Sequence, residues 1–367
     1  MFSVVTKLRL PKTLNADDGA VTILFTVIVL MGIMGGLFAL VVDGGQLMLE
    51  RRIVQNAADA SALYLSQNCA LGLNCATNDP TIFAQNNSPD LNTAISERCG
   101  SSPLAGCGPL NGNSKDCQTT PSAAQLPTSG FVRVRSRTLT STGGTALAPA
   151  FAGMFGAGNA SDGSWTMKAC SQAIWGKTVK ANVILPLAMS ACSYATPGAS
   201  NKIIPQFTPA STTCTGISSL DGLTLTGKDA GLSVVAIPNM DSTCDSGTIV
   251  NVGDSLNYVA PASMSTLCSG LLNRLKLAIN QQVYLPVFST STLSGVTRKF
   301  QVISFVRIRL VSFKYGGVLY GSPTFTSTAC ANLCIVGQFT KGVVPLGNVS
   351  TSSSVPALGA MAVNLIP

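Results

Sequence analysis

Twelve cysteines and not one histidine are the first chemical fact of this 367-residue chain. The cysteines stand at Cys69, Cys75, Cys99, Cys107, Cys117, Cys170, Cys192, Cys214, Cys244, Cys268, Cys330 and Cys334, all after residue 68. An even number placed on one side of the sequence fits disulfide bonds in an oxidising compartment. Metal binding is the competing use of a thiol. It needs ligand pairs at zinc-site spacing, yet no C-x-x-C occurs and Cys330 and Cys334 are separated by three residues. Cys69 with Cys75 and Cys330 with Cys334 are the local pairings that spacing suggests. The remaining connectivity is not readable from order alone.

Other chemistries lack their residues. Without histidine there is no Ser-His-Asp or Cys-His arrangement and no imidazole ligand. Asp221, Asp229, Asp241, Asp245 and Asp254 gather loosely, and "DSTCD" at 241–245 offers oxygens to a calcium ion. Its spacing is not that of an EF-hand loop, so these read as turn residues. No phosphate-binding or dinucleotide-binding glycine motif is present. The expectation is a protein that is not an enzyme, with no cofactor, no metal and no small-molecule substrate. A net charge of +8 comes without a basic block, and aromatics do not interleave with the basic residues, so no nucleic-acid partner is expected. In "FVRVRSRTLT" from Phe131, Val132 and Val134 alternate with Arg133, Arg135 and Arg137. That pattern predicts a half-buried strand with a basic outer face. Such a face is either solvated or a docking stripe for an anionic cell-envelope polymer.

These side chains need elements to hold them. Gly19 to Val42 carries no charge over 24 residues, enough to span a bilayer as a helix. Lys7, Arg9 and Lys12 precede it and place the N-terminus in the cytoplasm. The run exceeds the apolar region of a signal peptide and has no A-x-A site, so a signal anchor is expected, single-pass in the plasma membrane. Gly32 and Gly36 form a G-x-x-x-G within it, a spacing at which helices approach closely. Helical periodicity then continues. Arg52, Gln55, Asn56 and Asp59 form a polar stripe, while Leu47, Val54, Ala57, Ala58, Ser61 and Leu65 make an opposite, mostly small face. A face of small residues is suited to close packing along another helix or against a sheet.

This N-terminal stretch resembles the signature of the TadE/TadG-like proteins of Flp (Tad) pilus assembly. An acidic-glycine junction, Asp17-Asp18-Gly19-Ala20, precedes the apolar helix. Asp43, Gly45, Leu47, Leu49, Glu50, Arg51, Arg52, Gln55, Asn56, Ala57, Ala58, Asp59, Ala60 and Leu63 follow in the family's order. Val54 stands where leucine is usual and Ser61 where alanine is usual. The resemblance implies a pilin-like, membrane-anchored, extracytoplasmic protein whose N-terminal helix meets other Tad pilus proteins. Larger members often carry a metal-binding Asp-x-Ser-x-Ser motif, which is missing here. The peptidase-processing pattern of shorter members is missing too, so the resemblance implies an uncleaved TadG-like protein. Alternatives are an anchored adhesin and a minor pilin of the fibre.

The expected fold class is α+β: a transmembrane helix continuing into a stalk helix, then a disulfide-rich, mainly antiparallel β region. The expected organisation is 1–18 cytoplasmic, 19–42 membrane, 43–68 stalk, 69–175 a Cys-rich pilin-like unit, and 176–367 a second β-rich domain. Within these, Cys69 to about Ser129 reads as stapled irregular loops, and "GSWTMKACSQAIWG" as a strand with Trp165, Met167, Ala169, Ala173 and Trp175 on one side. Leu267, Leu271, Leu275 and Ile279 predict a short helix, and residues 299–315 the longest strand, with a hairpin partner in "CIVGQFTKGVV". Two runs reach a Leu-Pro, at Pro186 and Pro286, where a strand edge or end is expected.

Overall fold

The computed structural model describes residues 16–88, 91–108, 130–139, 167–195, 202–206, 214, 217–244, 247–260, 269–294, 297–322, 330, 333–344, 355, 356 and 358–366. Cys117, Cys268, Asp245, Trp165 and Leu267 lie outside these residues. The architecture is α+β. A single helix, α1 (Ala16–Leu71), opens the described chain, and strands dominate after it. At 1.5 Å per residue α1 is about 84 Å long. It is long and apolar enough to cross a membrane, and its most apolar window is uncovered by the rest of the chain.

The first sheet is built on the distal half of α1. Its strands are β1 (Thr93–Gly100), β2 (Gly130–Thr138) and β3 (Lys168–Lys177), all antiparallel neighbours. A short helix α2 (Thr81–Asn86) lies before β1. The stretch expected as loops from Cys69 therefore holds a helix and a strand. The strand escapes a pattern reading because Ser96, Glu97 and Arg98 interrupt its alternation at a bulge between Ile95 and Glu97.

The chain then runs through β4 (Lys180–Val183), β5 (Leu187–Ser190), α3 (Ala191–Ala195) and β6 (Lys202–Pro205). Two dipeptide strands come next, β7 (Ser219–Leu220) and β8 (Leu223–Thr224), then β9 (Leu232–Ala236), β10 (Thr248–Asn251) and β11 (Ser255–Tyr258). Helix α4 (Leu271–Ala278) leads into β12 (Gln282–Ser294), β13 (Thr297–Tyr315), β14 (Val318–Gly321) and β15 (Leu333–Thr340). The second sheet runs β11-β9-β5-β12-β13-β15-β6, with β14 on β13. Because β11 also pairs with β13, strands β5, β9, β11, β13 and β12 close on themselves. Phe288, Phe300, Phe305, Val235 and Leu256 pack together in one core. Leu271 and Leu275 of α4 pack with Leu285, Val287, Ile308 and Leu310 in another. The longest strand, the helix before it and the hairpin partner β15 sit where periodicity put them.

Pro286 does not end a strand. It lies within β12, opposite Phe305 of β13. The parallel neighbour β5 pairs with β12 only at Val287 and Phe288, so the proline falls where the ladder is one-sided and its missing N–H is tolerated.

The last strands return to the first sheet. β16 (Gly342–Val343) pairs with β17 (Ala360–Ile366), and β17 pairs antiparallel with β3, giving the order β1-β2-β3-β17-β16. The joint between the sheets is hydrogen-bonded. Arg307 Nη1 donates to Lys341 O at 2.9 Å, Tyr284 Oη to Val343 O at 2.6 Å, and Ser304 Oγ to Pro356 O at 2.7 Å. A Cβ on Gly342 would meet Arg307 Cδ at 2.0 Å, so a larger residue there would displace the Arg307 side chain from this joint.

Disulfides staple the ends of elements. Cys69–Cys75 holds the end of α1, Cys99–Cys107 the loop after β1, Cys192–Cys214 the short helix α3, and Cys330–Cys334 the entry to β15. Both local pairings suggested by spacing are formed. Cys170 and Cys244 are also disulfide-bonded.

Candidate interaction surface on the long helix

Past the apolar run, α1 is two-sided. Val54, Ala57, Ala58, Ser61, Ala62 and Leu65 are fully buried. Their small side chains let the helix lie close on the sheet, against Val132, Val134, Ala169, Ala173 and Trp175. Ser136 Oγ donates to the carbonyl of Val54 at 2.8 Å, a direct tie between sheet and helix. Tyr64 stacks on Phe83 of α2 with centroids 3.9 Å apart. Asp43, at the end of the apolar run, is 3% exposed.

The other side is open. Arg51, Arg52 and Asn56 are exposed, and Leu63 is half-buried. Met48 is 72% exposed and Leu49 59%, although both lie beyond the apolar run. Among the described residues, nothing outside the adjoining turns of α1 lies within 4 Å of a Cβ built on Gly32, Gly36 or Gly45. The structure thus separates the singled-out residues. Ala57 and Ala58 pack inward; Gly45, Leu49, Arg51, Arg52 and Asn56 are exposed; Gly32 and Gly36 meet no other element among the described residues.

Gln55 and Asp59 stand between the two sides. Gln55 Nε2 donates to Asp59 Oδ1 at 2.9 Å and to the carbonyl of Cys170 at 3.2 Å. They line a cleft of about 370 Å³ with Cys170, Ser171, Leu365 and Ile366, between the helix and the ends of β3 and β17. One wall is apolar and one carries a carboxylate.

The basic outer face expected on β2 is not there. Arg133 is 1% exposed, and its Nη2 contacts Glu97 Oε1 at 3.1 Å and donates to Gly108 O at 3.0 Å. Arg135 Nη1 reaches Glu97 Oε2 at 3.0 Å. Arg133 is covered and Arg135 and Arg137 are half-buried, so the alternation marked one buried side and one largely covered side rather than a fully wet one. Glu97 neutralises the pair because the antiparallel register sets it opposite Arg135. Nothing local in the sequence signals that partnership. The aspartates are spread among separate local contacts. Asp254 Oδ2 accepts from the backbone N–H of Asn251, Asp241 Oδ1 from Thr243 Oγ1, and Asp221 pairs with Lys177.

Residues 19–65 match the family model described as Putative Flp pilus-assembly TadE/G-like. Over those residues the N-terminal helix is similar to this family. The match begins with the apolar run and ends at Leu65, the last large side chain that the helix buries in the sheet. The TadE/G-like part therefore combines an uncovered half and a packed half in one helix, and the β region beyond it carries the disulfides. No curated protein and no solved structure matches the chain.

The 4–3 spacing of Val41, Gly45, Met48, Arg52, Gln55 and Asp59 is a signal that could have marked the open face. Leu365 and Ile366 had none, because their place beside the helix depends on long-range strand pairing, of Leu365 with Ala173 and of Ile366 with Gln172, partners 192 and 194 residues apart in sequence.

Proposed function

We propose that this chain is an uncleaved, membrane-anchored TadG-like component of Flp/Tad pilus assembly, acting without catalysis. The N-terminal helix anchors it in the plasma membrane, with the N-terminus cytoplasmic and the disulfide-bonded β region extracytoplasmic. The observation carrying this reading is the TadE/G-like helix itself. Its first half is an uncovered apolar rod, and its second half is the packing partner of the first sheet. A rod fused to a folded body presents that body at a membrane surface. The disulfides support an oxidising compartment for the body. Lys7, Arg9 and Lys12 support the orientation.

Deleting the gene is expected to reduce surface pili, counted by electron microscopy, and a plasmid copy to restore them. Unchanged pilus number and length would reject the assembly role. Shearing fibres from cells that make a C-terminally tagged chain then locates it. Full-length protein confined to membranes is the expected result. A shortened chain in the fibre fraction would instead make it a minor pilin.

The adhesin alternative is weakened by Arg133 and Arg135. A polymer-docking stripe needs accessible guanidinium groups; Arg133 is buried, Arg135 is half-buried and both are engaged by Glu97, which leaves Arg137, itself half-buried.

A further inference from the structure

The open side of α1 has a composition that water does not explain. Val41, Met48 and Leu49 are 69%, 72% and 59% exposed, and a Cβ on Gly45 meets nothing. Met48 lies six residues past Val42, about 9 Å beyond the apolar run along the axis. Arg52 is exposed on the same stripe. Seven residues on, Asp59 opens into the cleft with Leu365 and Ile366, one carboxylate oxygen held by Gln55. In a helix, seven residues return to the same face about 10.5 Å further along. Apolar side chains, a cation and then an anion therefore lie in one line that starts at the membrane.

We propose that this line is the docking face for a parallel helix of a different membrane-anchored protein. That helix is apolar beside Val41 to Met48. It carries a carboxylate at the level of Arg52 and a basic side chain, seven residues later, entering the Asp59 cleft. Continuity requires that a helix beside Val41 also enter the bilayer, and the order of its acidic and basic residues along the sequence tests the parallel direction. A second copy of this chain in register is disfavoured. It would set Arg52 against Arg52 and Asp59 against Asp59, two like-charge contacts. The glycine at 45 lets the partner backbone approach closely between Val41 and Met48. This inference rests on the pilus-assembly reading for where the partner is sought.

The test places a photo-crosslinker in the full-length chain in piliated cells, as Met48→p-benzoylphenylalanine, with Leu47→p-benzoylphenylalanine as the control on the covered side. The expected result is an adduct at Met48 and little at Leu47. Mass spectrometry should map the joined peptide to the membrane-proximal helix of another protein, with an acidic residue seven positions before a basic one. Adding Arg52→Glu should lower adduct yield roughly five- to tenfold, the size of converting one interfacial ion pair into a like-charge contact. Adducts to lipid alone, to a second copy, or to a protein lacking that segment would overturn the proposal, as would a yield indifferent to Arg52→Glu. The two readings fail separately. Lost pili in the deletion strain without the Met48 adduct would reject this interface alone. A charge-dependent adduct in a strain whose pili survive deletion would reject the assembly role alone.

Discussion

At the scale of single residues, Glu97 does the most. Its carboxylate holds Arg133, which is 1% exposed, and Arg135 together. Removing one partner of a buried pair leaves a charge without its counter-ion, which is more damaging than replacing both. Glu97→Gln is expected to destabilise the protein by about 2–3 kcal/mol in denaturant titration. Arg133→Met combined with Glu97→Gln should cost less than Glu97→Gln alone. A double variant worse than the single would show that packing of the Arg133 stem, not its charge, matters there. Lys202 makes a second residue-scale case. Its ammonium donates to Tyr194 O at 3.1 Å and lies 5.3 Å from the Phe339 ring centroid. Burial lowers its pKa from 10.5 to about 8. The folded state thus releases this proton before the unfolded state does. Between pH 8 and 10.5 the unfolded chain binds more protons, so this group makes stability rise with pH across that window. Burial raises the Tyr194 pKa, which favours the folded state below pH 10 and opposes the trend once the unfolded tyrosine ionises. Unfolding midpoints measured from pH 7.5 to 9.5 should climb relative to those of Lys202→Met. Parallel curves for the two proteins would contradict the assignment.

At the scale of elements, the packed half of α1 depends on smallness. Ala57, Ala58, Ser61 and Ala62 have no exposed surface, and Val132, Val134 and Ala173 sit across from that side of the helix. Inserting a larger side chain forces helix and sheet apart, at about 1–3 kcal/mol for an overpacked site. Ala58→Leu should show that loss, while Asn56→Leu on the exposed side should stay within about 0.5 kcal/mol of the parent. Equal effects would mean that the helix does not lie on the sheet through this face. The polar stripe read from periodicity has two parts: Arg52 and Asn56 are exposed, whereas Gln55 and Asp59 border the sheet. A helical wheel separates polar from apolar but does not know how wide a sheet edge will reach. The missed strand β1 has a similar cause. It is an edge strand with charged residues at its centre, and Glu97 belongs there only because Arg133 and Arg135 are its cross-strand neighbours.

At the scale of the whole molecule, the chain's two ends are one structure. β17 pairs with β3 from Met361↔Lys177 to Ile366↔Gln172, so the sheet that carries α1 is finished by the last described strand. Ending the chain at Gly359 would bare the edge of β3 and uncover Trp175, which packs near Val363 and Met361. Limited proteolysis of that truncated protein should cut within residues 69–177 far faster than in the parent, although the deletion lies far away in sequence. Resistance equal to the parent would show that the first sheet stands without its last strand.

What the sequence determined by itself was set by short-range physics. An uncharged run long enough to span a bilayer, a helix continuing past it, and the long strand at 299–315 with its hairpin partner come from period and length; spacing suggested Cys69–Cys75 and Cys330–Cys334 but not the equally local Cys99–Cys107. The TadE/G-like resemblance was legible for the same reason, since its residues are contiguous along one helix. The tertiary structure alone decided which polar residues are buried. Arg133 looked solvated because alternation reports two faces but not what covers them. Pro286 looked like a strand end because tolerance of a missing N–H depends on where the neighbouring strand begins. The cleft at Asp59 required β17, whose pairing with β3 is a long-range contact that no local pattern encodes.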